Sequence, residues 1–184
     1  MHVEALTRIC PPPHPGRSVN WPAVEQQLRL ALPADYKQLV ETYGGGVFAD
    51  SLRLLEPDGA DDMYDLVAQT AERAEILDDL WEAGEPKPSE LLDGDIRLVP
   101  WGLKEDAGHF LYWQARPDQE PEEWTVLLNE GRGPLWEAHP LSCSRFLFEV
   151  VAGTSTSTYF CDLDASVTSE GRYRFRPNSQ IFSG

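Results

Sequence analysis

Carboxylates are the side chains whose number and spacing carry the most chemical information in this sequence. They are crowded in three short runs at residues 56–65, 72–82 and 118–123, where basic neighbours are scarce. Like charges at such spacing repel one another and cost stability, which favours a role in binding a cationic partner. A solvated charged surface explains the same pattern. The candidate partner-binding residues are Asp58, Asp61, Asp62, Asp65, Asp118, Glu120, Glu122 and Glu123.

Residues for catalysis or metal binding do not form a recognisable set. The four histidines, at positions 2, 14, 109 and 139, lack the spacing that places two imidazoles on one metal ion. Ser142-Cys143-Ser144 lacks the GxSxG turn of a serine hydrolase, and Gly44-Gly45-Gly46 follows a predicted helix, whereas a phosphate-binding loop precedes one. We therefore predict no catalytic residue, no metal and no cofactor. The alternative is a small hydrolase with a cleft of converging carboxylates.

The net charge separates the classes of partner. The chain has 31 Asp plus Glu against 15 Lys plus Arg, a formal net charge of -16, and its pI is near 4.5. Direct binding of DNA or RNA is disfavoured, because it depends on Lys and Arg displacing counterions from phosphates. The same charge attracts a basic protein and speeds its encounter. We therefore expect a protein partner and no nucleic acid.

Cysteine usage and hydropathy indicate a cytoplasmic location. Cys10, Cys143 and Cys161 are an odd number with no close pair, so the sequence predicts neither a disulfide framework nor a CxxC metal site. Prolines at residues 11–15 interrupt the apolar stretch that a secretory peptide needs. No apolar run approaches the roughly 20 residues that cross a bilayer. We expect a cytoplasmic protein with no membrane partner.

Length and hydrophobic period predict one α+β domain. A chain of 184 residues with 41% apolar residues is long enough for a single core. Residues 1–19 are predicted to be an irregular N-terminal arm because of their prolines, and a short helix is predicted over 20–30. Apolar residues at helical spacing from Tyr36 to Tyr43 predict a second helix, which the following glycines end.

A third helix, with an acidic outer face, is predicted over residues 61–81. Its apolar stripe comprises Tyr64, Val67, Ala71, Ala74, Leu77 and Trp81.

Strands are predicted over residues 52–55, 96–101, 109–113, 124–129 and 135–138. Short polar spacers join the last four strands, which predicts an antiparallel sheet with helices packed on it. A closing helix is predicted over residues 141–152. Residues 154–184 form a C-terminal extension, in which Arg and aromatic residues alternate from Arg172 to Arg176 as in an added edge strand.

The order of these elements resembles the SUKH superfamily, which groups fungal cell-wall-synthesis regulators with bacterial immunity proteins of polymorphic toxin systems. Leu32-Pro33-Ala34-Asp35-Tyr36 and Gly44-Gly45-Gly46 are similar to the LPxDY helix and NGG turn of that family. The strands and closing helix of residues 96–153 are similar to its later elements, so the resemblance spans about residues 20–153. The structural motif residues are Leu32, Pro33, Tyr36, Gly44, Gly45, Trp113 and Trp124.

This resemblance implies a SUKH-like domain that acts by binding and not by turnover. The typical role in the bacterial branch is to neutralise a secreted toxin, often a nuclease or deaminase, inside the producing cell. We therefore expect an immunity protein that docks through its acidic surface on a basic toxin domain. The alternative is a regulatory or scaffold protein of the same fold that binds a cellular partner.

Overall fold

The computed structural model describes residues 2–13, 16–59, 61–92, 94–105, 107–131, 133–160 and 174–181. These residues form an α+β domain with helices packed on an antiparallel sheet, which confirms the predicted fold class. The described helices are α1 (His2–Ile9), α2 (Trp21–Leu28), α3 (Ala34–Tyr43), α4 (Leu66–Glu82), α5 (Cys143–Val151) and α6 (Asn178–Ile181). The described strands are β1 (Gly46–Phe48), β2 (Leu52–Leu54), β3 (Arg97–Lys104), β4 (Phe110–Ala115), β5 (Val126–Asn129), β6 (Trp136–His139) and β7 (Phe175–Pro177). Short 3₁₀ turns occupy Asp62–Tyr64, Ser89–Leu91 and Pro121–Glu123.

The seven strands are ordered β6-β5-β4-β3-β2-β1-β7, and each neighbouring pair is antiparallel. In the register of β3 and β4, Val99 lies opposite Trp113 and Pro100 lies opposite Tyr112. Successive side chains of a strand point to opposite sides of the sheet. Trp113 and Tyr112 therefore define two faces, which we call the core face and the opposite face.

The main hydrophobic core lies between the core face and helices α1, α3 and α5. Tyr36 packs edge-on against Trp113 with ring centroids 4.8 Å apart, and Trp124 lies 6.3 Å from Trp113. Trp101 meets Phe146 of α5 in the same edge-to-face manner. Such aromatic pairs bury large areas and contribute roughly 0.5–1.5 kcal/mol each beyond that burial.

The structure of the N-terminal arm differs from the prediction made from the sequence. The sequence predicts an irregular arm over residues 1–19, but His2–Ile9 form α1. Val3 and Leu6 lie one turn apart and are almost fully buried, so α1 closes one side of the core. The prolines that predicted an irregular chain begin at Pro11, after the helix has ended, and therefore do not interrupt its hydrogen bonds.

Helix α4 begins later than predicted and buries a different face. Its N-terminal residue is Leu66, not Asp61, because the Asp65 carboxylate caps the backbone N–H groups of Val67 and Ala68 at 2.8 Å. Ala71 and Ala74 of the predicted stripe are exposed. The buried residues are Leu66, Gln69, Thr70, Arg73 and Leu77. Polar side chains thus occupy much of the buried face, which an apolar period does not reveal.

The C-terminal extension adds a strand at the edge of the sheet. β7 pairs with β1, and Phe175 lies on the core face against Phe48, with ring centroids 4.6 Å apart. Arg176 is opposite Val47 and so lies on the other face of the sheet. Arg172 and Tyr173 of the predicted alternation lie outside the described residues.

The glycines after α3 permit a close approach of chains. Gly44 has φ +72°, a conformation that side chains disfavour, and its N–H donates to the Val40 carbonyl to end the helix. A β-carbon on Gly45 would lie 2.6 Å from the Glu56 carboxyl and 2.7 Å from Asn178 Nδ2. The glycines therefore stop α3 and let the tail residue Asn178 dock.

The other motif residues anchor α3. Leu32 and Pro33 are buried beside its N-terminus, and Pro33 occupies the N-cap position. The Tyr36 hydroxyl donates to the backbone carbonyl of Leu55 at 2.7 Å, and burial raises the pKa of this phenol well above its ordinary value. Leu32, Pro33 and Tyr36 therefore each have a structural role at or before the first turn of α3.

Candidate protein-binding surface

A groove of about 640 Å³ lies between α4, the turn Asp62–Tyr64 and the opposite face of the sheet. Its volume is in the range of roughly 300–1,000 Å³ that is typical of ligand-sized clefts. The lining residues are Asp61, Met63, Tyr64, Gln69, Glu72, Arg73, Ile76, Leu103, Lys104, Glu105, Gly108 and Phe110.

Apolar side chains from four separate segments line much of this groove. Leu103 of β3 and Phe110 of β4 are opposite one another in the sheet and so lie side by side on the same face. Ile76 comes from α4, and Met63, in the 3₁₀ turn before the helix, is 59% exposed. A solvent-facing Met next to other apolar groups is an adaptable contact surface.

Arg73 lies at the base of the groove, and its guanidinium is held in place by contacts within the protein. It is 6% exposed, and its Nε donates to the Tyr112 hydroxyl at 2.9 Å. The guanidinium also lies 4.4 Å from the centroid of the Phe110 ring and donates weakly to the Gly131 carbonyl at 3.4 Å. Burial raises the pKa of Tyr112 to about 12, so its hydroxyl stays protonated at neutral pH.

Two other cations beside the groove are also engaged. Arg53 is 1% exposed, pairs with Glu105 and lies 3.8 Å from the centroid of the Tyr64 ring. The Lys104 ammonium donates to the carbonyl of Tyr159. Glu105 therefore compensates the charge of Arg53, whereas Lys104 is hydrogen-bonded to an uncharged acceptor and keeps its positive charge.

Carboxylates form the rim of the groove on the α4 side. Asp61 accepts a hydrogen bond from the Met63 N–H at 2.9 Å, and Glu72 accepts one from Gln69 at 2.6 Å. The solvent side of α4 continues this charge through Glu75, Asp78, Asp79 and Glu82, all exposed. Arg73, the basic residue of α4, is buried, so the outer side of the helix is negatively charged.

The first group of predicted residues lies beside this groove. Asp58, Asp61 and Asp62 are exposed, and Asp61 lines the groove directly. The carboxylates of Asp58 and Asp62 accept no hydrogen bond from the described part of the chain. Asp65 is different, because its carboxylate caps α4 and also accepts from the Gly59 N–H at 3.1 Å. Asp65 therefore has a structural role, because its carboxylate is used in hydrogen bonds within the chain.

The second group of predicted residues lies on another part of the surface. Glu122 accepts a hydrogen bond from the Ala34 N–H at the start of α3, at 3.2 Å. Glu122 also lines a separate cavity of about 390 Å³ with His2 and Asp35. Glu123 accepts from the Glu120 N–H at 3.1 Å. Asp118 lines another cavity, together with Asp95 and Arg116. None of the four residues lines the groove beside α4.

Reasoning from sequence found the acidic rim but not the apolar lining. Met63, Ile76, Leu103 and Phe110 are far apart in the chain, and none belongs to a motif. The sequence contains one weak signal for the groove. Arg73 is the basic residue of an otherwise acidic helix, and its long side chain can pack its stem against a neighbouring element. The tertiary contact with Tyr112 was needed to locate it.

Comparisons with known proteins supply no relative for this chain: no family model, no curated protein and no solved structure matches it. In the described ranges, no group of three or more His, Cys, Asp or Glu side chains is placed to hold a metal ion. None of the described helices combines the length and the apolar character that spanning a membrane requires.

Proposed function

We propose that this chain is a non-enzymatic binding protein of the SUKH type, which acts in the cytoplasm to neutralise a basic, nucleic-acid-targeting toxin domain. The observation that carries the proposal is the surface around α4, where exposed carboxylates lie along one rim of a groove with a partly apolar lining. An apolar centre with a polar rim is the usual anatomy of a protein–protein interface. The resemblance of residues 20–153 to immunity proteins supports the same conclusion.

The mechanism we propose is occlusion of the toxin's nucleic-acid site. Carboxylates such as Asp62 and Glu75 occupy the positions of phosphates and pair with the Lys or Arg residues that otherwise hold nucleic acid. These exposed pairs contribute mainly to the association rate, whereas contacts in the groove determine the residence time. Sequestering the basic surface removes the toxin's access to its substrate without any chemical step.

The direct test is co-expression with the products of the genes adjacent to the gene for this chain. We expect one product with a basic domain that arrests growth when expressed alone, and expect this chain to restore growth and to co-purify with it. A variant with Asp62→Lys and Glu75→Lys should restore growth less well. A variant with Asp118→Lys and Glu120→Lys changes the net charge equally, on the other part of the surface, and is the matched control.

Two outcomes would contradict the proposal. If a neighbouring toxin kept its full activity in the presence of this chain, neutralisation would be excluded for that pair. If the chain co-purified instead with a non-toxic cellular protein and no toxin gene lay nearby, the regulatory alternative would replace it.

A further inference from the structure

We infer that the groove between α4 and the sheet binds an apolar side chain flanked by Lys or Arg residues of the partner. This inference rests on the proposed function, because it names the part of a basic partner that the surface recognises. It adds a specific anchor point, which a general acidic surface does not require.

The lining of the groove selects an apolar group. Leu103, Phe110, Ile76 and the exposed Met63 present carbon atoms from four segments, and the groove lies open to solvent beside Met63. Covering these atoms with an apolar side chain removes them from water, which is favourable by roughly 25 cal/mol per Å². The flexible Met63 side chain can adjust to the shape of the occupant.

The charges around the groove, taken together, argue against an anionic occupant. Arg73 donates to Tyr112 and lies against Phe110, Arg53 pairs with Glu105, and the Lys104 ammonium binds a backbone carbonyl. Asp61, Glu72 and Glu105 line the same groove and repel an acidic or phosphorylated ligand. The groove is therefore suited to a group without negative charge.

The carboxylates at the rim favour basic residues next to the apolar group of the partner. Asp61 and Glu72 line the groove, and Glu75 follows Glu72 on the exposed side of α4. Asp61 accepts from a backbone N–H and Glu72 from the Gln69 amide, and neither carboxylate forms an ion pair with another described residue. A Lys or Arg next to the apolar anchor would meet these charges at the rim.

The chain offers a simple spectroscopic probe of the groove, because its two methionines are Met1 and Met63. The full chain is labelled with ¹³C at the methionine methyl groups and titrated with a short peptide that has lysines on both sides of a Phe-Leu pair. We expect the Met63 methyl signal to shift and saturate with a dissociation constant of about 1 mM or lower, while the Met1 signal stays in place. Peptides with Ser-Ser for Phe-Leu, or with glutamates for the lysines, should bind at least about tenfold more weakly.

Two variants separate binding in the groove from attraction to the surface. Ile76→Trp fills the groove without changing the charge, and Ala71→Trp places the same ring on the exposed side of α4. We expect Ile76→Trp to weaken peptide binding at least about tenfold and Ala71→Trp to leave it unchanged. If Ile76→Trp does not fold, Glu72→Lys, at an exposed position, provides the second test and should weaken binding to a similar extent.

The results distinguish this inference from the proposed function. An unmoved Met63 signal, or equal shifts with all three peptides, would overturn the groove inference. If the charge-reversed Asp62→Lys, Glu75→Lys variant lost toxin binding while Ile76→Trp kept it, the proposed function would stand without the groove. If the lysine peptide bound in the groove but no basic toxin bound, the groove would stand and the proposed function would fail.

Discussion

The Asp35 carboxylate accepts a hydrogen bond from the backbone N–H of Ser144 at 3.2 Å, and this contact joins the first turn of α3 to the first turn of α5. The thiol of Cys143, at the start of α5, lies 3.5 Å from the same carboxylate. The start of a helix has unpaired N–H groups and a positive dipole end, so an acceptor from another element stabilises it. Asp35 therefore links two helices of the core in addition to its place in the LPADY motif.

We predict that Asp35→Ala lowers the free energy of unfolding by about 1–2 kcal/mol, because α5 loses an acceptor for its terminal N–H groups. Urea denaturation followed by tryptophan fluorescence measures this. Asp118→Ala removes an exposed carboxylate that accepts no hydrogen bond from the described residues, and its effect should stay within about 0.5 kcal/mol. Equal stabilities of the two variants would show that the Asp35 contact contributes nothing.

Gly45→Ala should destabilise the fold by about 1–3 kcal/mol, because the new methyl group collides with Glu56 and Asn178. Neither side chain moves easily, since Glu56 is paired with Arg17 and hydrogen-bonded by Asn178. Tryptic cleavage after Arg174, whose carbonyl accepts from the Ala49 N–H at 2.9 Å, should also become faster as the tail strand loosens. The control is Gly59→Ala, where the nearest atom lies at an ordinary 3.5 Å. Resistance to trypsin equal to that of the original protein would contradict the docking of the tail at Gly45.

Glu137 makes stability depend on pH. Burial alone would raise the pKa of Glu137, but hydrogen bonds from Ser157 and Thr158 outweigh it and lower the pKa below its ordinary value. A lowered pKa in the folded state stabilises the protein above the unfolded pKa of about 4.3, and this contribution is lost as the pH falls through the folded value. Glu137→Gln should therefore be less stable at pH 7 by about 1 kcal/mol, with a smaller difference in acid.

Urea unfolding at a series of pH values between neutral and acid checks this dependence. Glu75→Gln, at an exposed position of α4, is the control that should follow the original protein at every pH. A difference between Glu137→Gln and the original protein that stays constant with pH would contradict an ionised Glu137 in the folded state.

Tyr112→Phe should cost about 1–3 kcal/mol, because it removes the acceptor that holds the buried Arg73 guanidinium at 2.9 Å. Thermal and urea denaturation measure the loss. Tyr159→Phe is the matched control, since no hydrogen bond of its hydroxyl is present among the described residues. If Tyr112→Phe were as stable as Tyr159→Phe, the hydrogen bond between Arg73 and Tyr112 would contribute nothing to the stability of the fold.

The elements that could be predicted from sequence are those in which the apolar period and the end signals agree. Tyr36, Leu39, Val40 and Tyr43 are all buried on α3, and Gly44 ends that helix. The alternation of residues 96–138 likewise gives β3 to β6 of the sheet. Each of these patterns reports directly on which side of an element is buried.

The elements that could not be predicted depend on tertiary contacts. Sequence composition does not predict α1, because the prolines after Cys10 dominate the arm, although Val3 and Leu6 have helical spacing. Hydropathy predicts the wrong buried face for α4, because it places Arg73 and Gln69 at the surface, whereas hydrogen bonds allow both side chains to be buried. The groove was not predictable, since four ordinary apolar residues from separate segments form it only in the folded chain.

The most direct test of the central claim is the association rate of this chain with the toxin domain encoded beside its gene, measured by stopped-flow fluorescence over a range of salt concentrations. Attraction between exposed opposite charges is screened beyond about 10 Å at 0.1 M salt, so the rate should fall at least about tenfold from low to high salt. The Asp62→Lys, Glu75→Lys variant should associate more slowly with a flatter salt dependence, and the Asp118→Lys, Glu120→Lys variant should keep most of the original slope. A rate that is independent of salt and the same for all three proteins would contradict binding through the carboxylates around α4.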